Sequence, residues 1–222
     1  MSASLYREIH MNAKWIGLGC LGVLVLFVAI VGLALVGSYN GLVGKDQDVQ
    51  SKWAQVQNAY QRRADLIPNL VATVQGAANF EKSTLTEVTE ARAKVGQVNV
   101  SASAVPSQQQ LNSFQQAQNG LGSALSRLLV VAERYPTLTA TQNFRDLQAE
   151  LAGTENRISV ARMDFNNAAQ VYNTSIRTFP AVLYAGIFGF HERPYFEAQA
   201  GADTAPKVNF DFNQKPAAPA QP

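Results

Sequence analysis

The sequence predicts an all-α protein in which an N-terminal transmembrane helix is followed by an elongated, antiparallel, up-and-down four-helix bundle. Residues 15–36 form an uncharged apolar run of 22 residues, which is long enough for a helix to cross the hydrocarbon core of a bilayer. Apolar residues then recur at steps of three and four in four later segments, as in amphipathic helices. None of these segments alternates as a strand does.

The apolar run from Trp15 through Phe27 to Val36 predicts a membrane anchor that tethers the rest of the chain. A cleaved signal peptide is the alternative, but its apolar stretch is usually about 7–15 residues long and ends at an A-x-A-like site. The run here is longer, and residues 36–38 match such a site only loosely. Two basic residues lie on each side of the run, namely Arg7, Lys14, Lys45 and Lys52. Flanking charge therefore does not predict which side of the membrane carries the bundle.

Composition argues against several classes of function. The formal net charge is +2, and no basic stripe is interleaved with aromatic residues, so no nucleic-acid partner is predicted. The single cysteine, Cys20, lies within the apolar run, which leaves the following domain without disulfides or thiol chemistry. The G-x-G-x-x-G pattern at residues 17–22 also lies in the span, whereas a dinucleotide site needs a preceding strand. No cofactor is predicted.

The first amphipathic helix is predicted from about residue 39 to residue 79, continuous with the anchor. Its apolar stripe is Val49, Trp53, Val56, Tyr60, Ala64, Ile67, Val71, Val74 and Ala78. Pro68 removes a backbone donor and clashes with the preceding turn, so a kink is expected there. Because the stripe keeps its phase across Pro68, we favour a kinked continuous helix. A turn near Pro68, rather than near Ser83, is the alternative.

Three more helices are predicted. The second begins near Ser83, where Thr84 and Glu87 fit a capping box, and ends at Gly96; its core positions are Leu85, Val88, Ala91 and Val95. The third begins at the cap Ser107 and ends at Pro136; its heptad-like seam is Leu111, Phe114, Gln118, Leu121, Leu125, Leu128, Ala132 and Tyr135. The fourth ends at Pro180; its stripe is Phe144, Leu147, Leu151, Ile158, Ala161, Phe165, Ala169, Tyr172, Ile176 and Phe179, with a gap at Thr154.

Four regions follow from this pattern: a short N-terminal segment over 1–14, the anchor over 15–38, the bundle with a C-terminal cap over 39–200, and a disordered tail over 201–222. The short connections predict antiparallel neighbours.

The apolar segment after Pro180 is too short to span a membrane, so we expect it to fold back over one end of the bundle. Contact with the membrane surface through Phe188 and Phe190 is the alternative.

The sequence predicts no catalytic and no metal-binding residues. His10 and His191 are far apart in the chain, and no acidic residue stands three positions before either, as the Glu-x-x-His motif of di-metal bundles requires. The acidic residues of the predicted helices lie among lysines and arginines, which favours solvated ion pairs over acid–base catalysis. These residues are Glu87, Glu90, Glu150 and Glu155.

Polar residues near the apolar stripes are the candidate interaction or register residues. On the first helix they are Arg62, Arg63 and Asp65, of which Arg62 and Asp65 are spaced for a local ion pair. On the fourth helix they are Asn156, Arg157, Asn166, Asn167 and Asn173. An inward Asn or Arg destabilises a bundle unless it is paired, but it fixes the register of the helices. A ligand site in the bundle interior is the alternative.

Several segments resemble the bacterial LemA family. The most specific is residues 61–71, which contain the run R-R-x-D-L-I-P-N-L-V. Other matching segments are 39–43, 53–56, 84–85, 133–136, 155–158, 161–162, 172–173, 179–180 and 189–190. The resemblance covers about residues 39–210. Phe165 departs from it, because a tyrosine is expected before Asn166.

The resemblance implies a protein of the bacterial cell (inner) membrane with a single span, a soluble helical bundle and no established enzymatic activity. Magnetosome-associated relatives take part in forming a membrane organelle, but an analogy of fold does not transfer function. We predict a non-enzymatic, membrane-anchored interaction or scaffold protein. Its partner is an unidentified protein, and a second copy of the same chain is one candidate. The alternatives are a membrane-shaping assembly protein and a ligand sensor.

Overall fold

The computed structural model describes residues 3–76, 80–98 and 104–197, and this part of the chain is helical without strands. Its elements are α1 (Ala3–Gln75), α2 (Lys82–Gln97), α3 (Gln108–Ala132), α4 (Pro136–Thr139), α5 (Gln142–Arg177) and a 3-10 turn (Ala181–Leu183). The all-α prediction is confirmed. The predicted tail over 201–222, the predicted helix end over 77–79 and the side chain of Trp15 lie outside the described residues. So do residues 99–103, between the predicted second and third helices.

A single helix, α1, contains both the apolar run and the first helix of the bundle, so the predicted continuity is confirmed. The large apolar side chains between Leu21 and Val36, including Phe27, are exposed. By its length and composition, this part of α1 is able to cross a membrane. Helix α1 continues to Gln75, which excludes the alternative turn at Pro68.

Pro68 lies inside α1, where it lacks the N–H group that would donate to the carbonyl of Ala64. The Nε–H group of Arg92, on α2, donates to that carbonyl at 3.2 Å. A side chain from the neighbouring helix thus replaces the missing backbone donor, which matters because unpaired backbone groups are costly in a packed structure. The same contact ties α2 to α1.

The long helices pack antiparallel, and ion pairs mark their register. Between α1 and α5 the pairs at the surface are Arg62–Glu150 and Lys52–Asp164. Between α2 and α3 the pairs are Glu87–Arg127 and Glu81–Arg134. Because their side chains are exposed or half-exposed, each pair contributes little stability. Most of the stability therefore comes from the apolar core.

The core consists of two clusters along the bundle. The distal cluster, far from the anchor, includes Ile67, Leu70, Val74, Leu85, Val88, Leu121, Leu125, Leu128, Phe144 and Leu151. The proximal cluster, near the anchor, includes Leu42, Val49, Trp53, Val56, Tyr60, Leu111, Phe114, Ile158, Phe165, Tyr172, Ile176, Ala181, Ala185 and Phe196. Helix α2 contributes buried residues only to the distal cluster. At the proximal end, an extended C-terminal segment over 191–197 lies against the bundle instead.

The predicted start of the second helix is partly wrong. Helix α2 begins at Lys82, and Glu81 occupies the cap position without a side-chain hydrogen bond to the helix backbone. Thr84 is therefore inside the helix, and its predicted capping box with Glu87 does not form. By contrast, the predicted cap of the third helix is confirmed, because Ser107 forms a reciprocal capping box with the residue at the third helical position.

Two prolines act differently from the prediction. Pro136 begins the short helix α4 rather than ending α3, whose last residue is Ala132. Pro180 follows the end of α5, but that helix already ends at Arg177. Phe179 therefore leaves the predicted stripe and is exposed.

Replacing Trp53 by alanine should lower the free energy of unfolding by about 3–5 kcal/mol, because it removes a fully buried ring from the proximal cluster. The ring centroid of Trp53 lies 5.7 Å from those of both Phe114 and Phe165. Urea unfolding in detergent micelles, followed by circular dichroism, measures the loss. Met163→Ala is the control, because Met163 is exposed on α5 and its loss should stay within about 0.5 kcal/mol. Equal losses of unfolding free energy in the two variants would contradict the assignment of Trp53 to the core.

Candidate functional site

The predicted interaction or register residues lie in three separate places. A groove between α1 and α5 is lined by Arg62, Asp65, Asn156 and Arg157. Arg63 is buried inside the bundle. Asn173 contacts the extended segment over 191–197. Sequence patterns thus identified polar positions, but they did not show that these positions belong to different surfaces.

The groove between α1 and α5, called the α1/α5 groove below, is open and has a volume of about 670 Å³. Its polar lining residues are Gln55, Asn58, Gln61, Arg62, Asp65, Asn156, Arg157 and Asp164. Arg62 contacts Glu150 of α5 rather than forming the expected local pair, and Asp65 accepts a hydrogen bond from Gln61 at 2.7 Å. The groove therefore presents charges of both signs on two helices. Because it is open and combines charged side chains with apolar surface from Ala59, Val160 and Ala161, it fits a protein surface better than an enclosed small ligand.

Arg63 joins three helices from inside the bundle, where it is 5% exposed. Its Nη1 donates to Oε2 of Glu155 on α5 at 2.8 Å, and its Nη2 donates to Oε1 of Gln118 on α3 at 2.5 Å. The guanidinium also lies over the ring of Tyr60, 5.0 Å from its centroid. Its buried Nε has no hydrogen-bond partner among the described residues. The polar network of Arg63, Gln118 and Glu155 therefore links α1, α3 and α5.

This network does not resemble an acid–base pair. Burial raises the pKa of the Tyr60 hydroxyl, and the nearby cations of Arg162 and Arg63 only partly oppose that effect. Tyr60 is therefore neutral at physiological pH. The side chain of Glu155 is mostly exposed, so the network contains an exposed carboxylate, a cation and neutral groups.

Side-chain amides on α5 bind the backbone of the extended segment. Asn173 donates from Nδ2 to the carbonyl of Arg193 at 2.8 Å, and its Oδ1 accepts from the N–H group of Arg193 at 2.8 Å. Asn166 binds the carbonyl and the N–H group of Phe196 in the same way, at 3.0 and 2.9 Å. We call Asn166 and Asn173 the amide clasps. Because an Asn side chain carries a donor and an acceptor, each clasp satisfies both backbone groups of one residue.

Helix α3 binds the same segment from its other side. Gln108 donates to the carbonyl of Tyr195 at 3.3 Å and accepts from its N–H group at 3.4 Å. Gln115 donates to the carbonyl of Glu197 at 2.9 Å. Sequence patterns gave no signal for these two glutamines, because glutamine is a common surface residue of helices.

The side chains of the segment complete its attachment. Arg193 donates from Nε to Oδ1 of Asp46 on α1 at 2.9 Å. Phe196 is buried in the proximal cluster, with its ring centroid 5.6 Å from that of Phe165. Phe165, which stands where a tyrosine was expected, thus fills an apolar site and needs no hydrogen-bond partner.

The described residues form no group of three or more His, Cys, Asp or Glu side chains that could hold a metal ion. His191 is exposed at the start of the extended segment, and the side chain of His10 lies outside the described part. Asn173, one of the polar residues for which a ligand site was the alternative, is instead bound by the backbone of Arg193, and the buried Arg63 is likewise bound by groups of the same chain.

Replacing Arg63 by methionine should lower the free energy of unfolding by about 1–3 kcal/mol, because buried Gln118 loses its partner. The double variant with Arg63→Met and Gln118→Leu should return to within about 1 kcal/mol of the native protein, because apolar side chains of similar volume replace a buried polar pair. Urea unfolding in micelles measures both variants. A double variant no more stable than the single one would show that the network itself stabilises the fold.

Replacing Asn173 by alanine should loosen the extended segment without unfolding the bundle. The N–H and C=O groups of Arg193 would lose their partners, at about 1–3 kcal/mol for each buried group. Hydrogen–deuterium exchange over 191–197 should therefore rise about tenfold or more. Asn167→Ala is the matched control, because Asn167 is exposed on the same helix. Equal exchange in the two variants would contradict the role of the clasp.

Comparisons with known proteins agree with this architecture. The LemA family profile matches residues 52–210. The chain is 29% identical to a magnetosome protein MamQ of Paramagnetospirillum magneticum over 196 residues, which cover 81% of this chain and 72% of that protein. It is 28% identical to magnetosome protein MamQ of Magnetospirillum gryphiswaldense over 202 residues, 81% of this chain and 74% of that protein. It is 26% identical to protein LemA of Metamycoplasma hominis over 156 residues, 70% of this chain and 67% of that protein. Because the profile covers most of the sequence, this chain belongs to the LemA family.

Proposed function

We propose that this LemA-family chain is a non-enzymatic scaffold protein of the bacterial cell (inner) membrane, held by a single pass of α1. The continuity of α1 carries the proposal, because the helix runs from the apolar run into the core without a break. A flexible linker would leave the bundle free to tumble. A continuous helix holds the bundle at a set height above the membrane. We accordingly place the anchor at 15–38 and the bundle at 39–200.

The proposed absence of catalysis rests on how the polar residues are used. Arg63 and the amide clasps are engaged in holding helices and the extended segment. The names of the relatives state no reaction. A structural role for these residues explains their positions without invoking a substrate.

We propose the α1/α5 groove as the surface that binds a partner protein. It lies on the two longest helices of the bundle, so its shape is fixed by the core beneath it. Asn156 and Arg157 are exposed there, and neither is needed for the core. The partner is a protein with complementary charges of both signs, and a second copy of the chain meets this description.

A second candidate function is assembly that shapes a membrane. Three relatives bear the name magnetosome protein, and large apolar side chains are exposed at the end of the bundle nearest the anchor. This candidate also requires contacts between proteins, but it predicts that they are contacts between copies.

Photocrosslinking in intact cells tests the proposed groove. A photoreactive amino acid at Asn156 should give a defined higher-mass adduct, and mass spectrometry then distinguishes a second copy from another protein. The same amino acid at Ser159 is the control, because Ser159 is exposed on α5 but is not among the residues that line the groove.

The additional substitution Arg157→Glu should reduce the Asn156 adduct at least severalfold, because it reverses a charge in the groove. An adduct that consists of two copies of this chain would favour the assembly candidate. Equal adducts from Asn156 and Ser159, or an adduct unaffected by Arg157→Glu, would exclude the groove as the binding surface.

A further inference from the structure

Five large apolar side chains are exposed together just after α5. They are Phe179, Val182, Leu183, Ile187 and Phe188, which are between 52% and 83% exposed. We call this set the juxtamembrane shelf. Contiguous exposed apolar residues are uncommon on a soluble surface, and they usually mark a contact with another protein or with a membrane.

The shelf lies beside the end of the apolar run. The hydroxyl of Tyr184 donates to Oγ of Ser38 at 2.7 Å. The ring centroid of Phe188 lies 5.4 Å from that of Tyr39. An apolar groove between the two segments is lined by Leu35, Val36, Tyr39, Tyr184 and Phe188, with no polar surface. Through Phe188, the shelf thus adjoins the apolar surface of α1 at the point where α1 would leave the bilayer.

The backbone that carries the shelf is fixed to the bundle. Ala181 and Ala185 are buried in the proximal cluster. The N–H group of Phe190 donates to the carbonyl of Ala185 at 2.9 Å, which closes the turn. The outward direction of Ile187 and Phe188 is therefore set by packing on the opposite side of the segment.

The polarity of the neighbouring residues fits a membrane boundary. Charged residues that precede and follow the shelf in the chain are paired with each other or with α1: Arg177 with Glu192, and Arg193 with Asp46. Tyr39 and Tyr184 line the apolar groove beside Leu35 and Val36, and tyrosine is enriched at the water interfaces of membrane proteins.

We propose that the juxtamembrane shelf inserts into the lipid leaflet from which α1 emerges. The bundle is then held at two points, the anchor and the shelf, and its rotation about α1 is restricted. This inference rests on α1 crossing the membrane and is independent of the partner proposed for the α1/α5 groove. Its occupant is the bilayer, because the shelf is continuous with the anchor that the same bilayer surrounds.

Depth-dependent quenching of a fluorescent label tests the inference on the full-length protein in phosphatidylcholine vesicles. In a Cys20→Ser background, Ile187→Cys carries an environment-sensitive NBD label, and Met163→Cys, exposed on α5, carries the control label. The label at 187 should emit at shorter wavelength. Lipids with a doxyl group high on the acyl chain should quench it severalfold more strongly than they quench the label at 163. Circular dichroism confirms that both variants are folded.

A second measurement separates lipid from protein as the occupant. The quenching at 187 should persist when vesicles contain on average less than one copy of the protein, because contact with lipid does not require a second copy. A label at 187 that water-soluble iodide quenches as well as it quenches the label at 163 would overturn the proposal. So would a label that is shielded from iodide but not quenched by doxyl lipids, since another protein would then cover the shelf. Neither result depends on what binds the α1/α5 groove.

Discussion

The backbone hydrogen bonds of α1 are the constraint on which the rest of the structure depends. They make one stiff rod from the apolar run into the bundle, and at 1.5 Å per residue the part beyond the run extends about 60 Å. Helix α5 follows this rod in the opposite direction, while α2 completes only its far half. The weak point is Pro68, where the carbonyl of Ala64 loses its helical donor and Arg92 supplies another. The hydrogen bond from Arg92 thus compensates locally for the donor that Pro68 lacks.

Because α2 is short, an extended segment packs at the proximal end of the bundle, and side-chain amides bind its backbone. An extended segment that packs on helices brings backbone N–H and C=O groups that no adjacent strand can satisfy. Asn166 and Asn173 supply the missing donors and acceptors. The sequence pattern marked these residues as polar intrusions near a stripe, but it could not identify their partners. The segment over 191–197 has no periodicity, and contacts with residues 20 or 30 positions away determine its path.

The helices could be predicted from the sequence because the spacing of apolar residues and a capping residue such as Ser107 depend only on residues that are close in the chain. The apolar stripe of α1 shows a prediction from local sequence that was partly wrong. Beyond the first half of the stripe, Arg63 and Leu70 are buried, whereas Ala64 and Val71 were expected at the core. Apolarity alone favours Ala64 over an arginine. The burial of Arg63 depends on Gln118, which lies 55 residues away in the chain, and no local pattern contains that information.

The positions of the α1/α5 groove and the juxtamembrane shelf together constrain the proposed partner. With α1 crossing the membrane as proposed, this continuous helix would set the height of the groove, and a shelf in the leaflet would prevent rotation of the bundle about α1. The groove would then face sideways, parallel to the membrane plane. Molecules anchored in the same membrane meet such a surface at matching height, and their shared anchorage raises the effective concentration well above that of a soluble partner. A shallow groove of mixed charge, which would bind a free ligand weakly, is then sufficient for a lateral partner. This argument favours membrane proteins, including further copies of this chain, over soluble ligands.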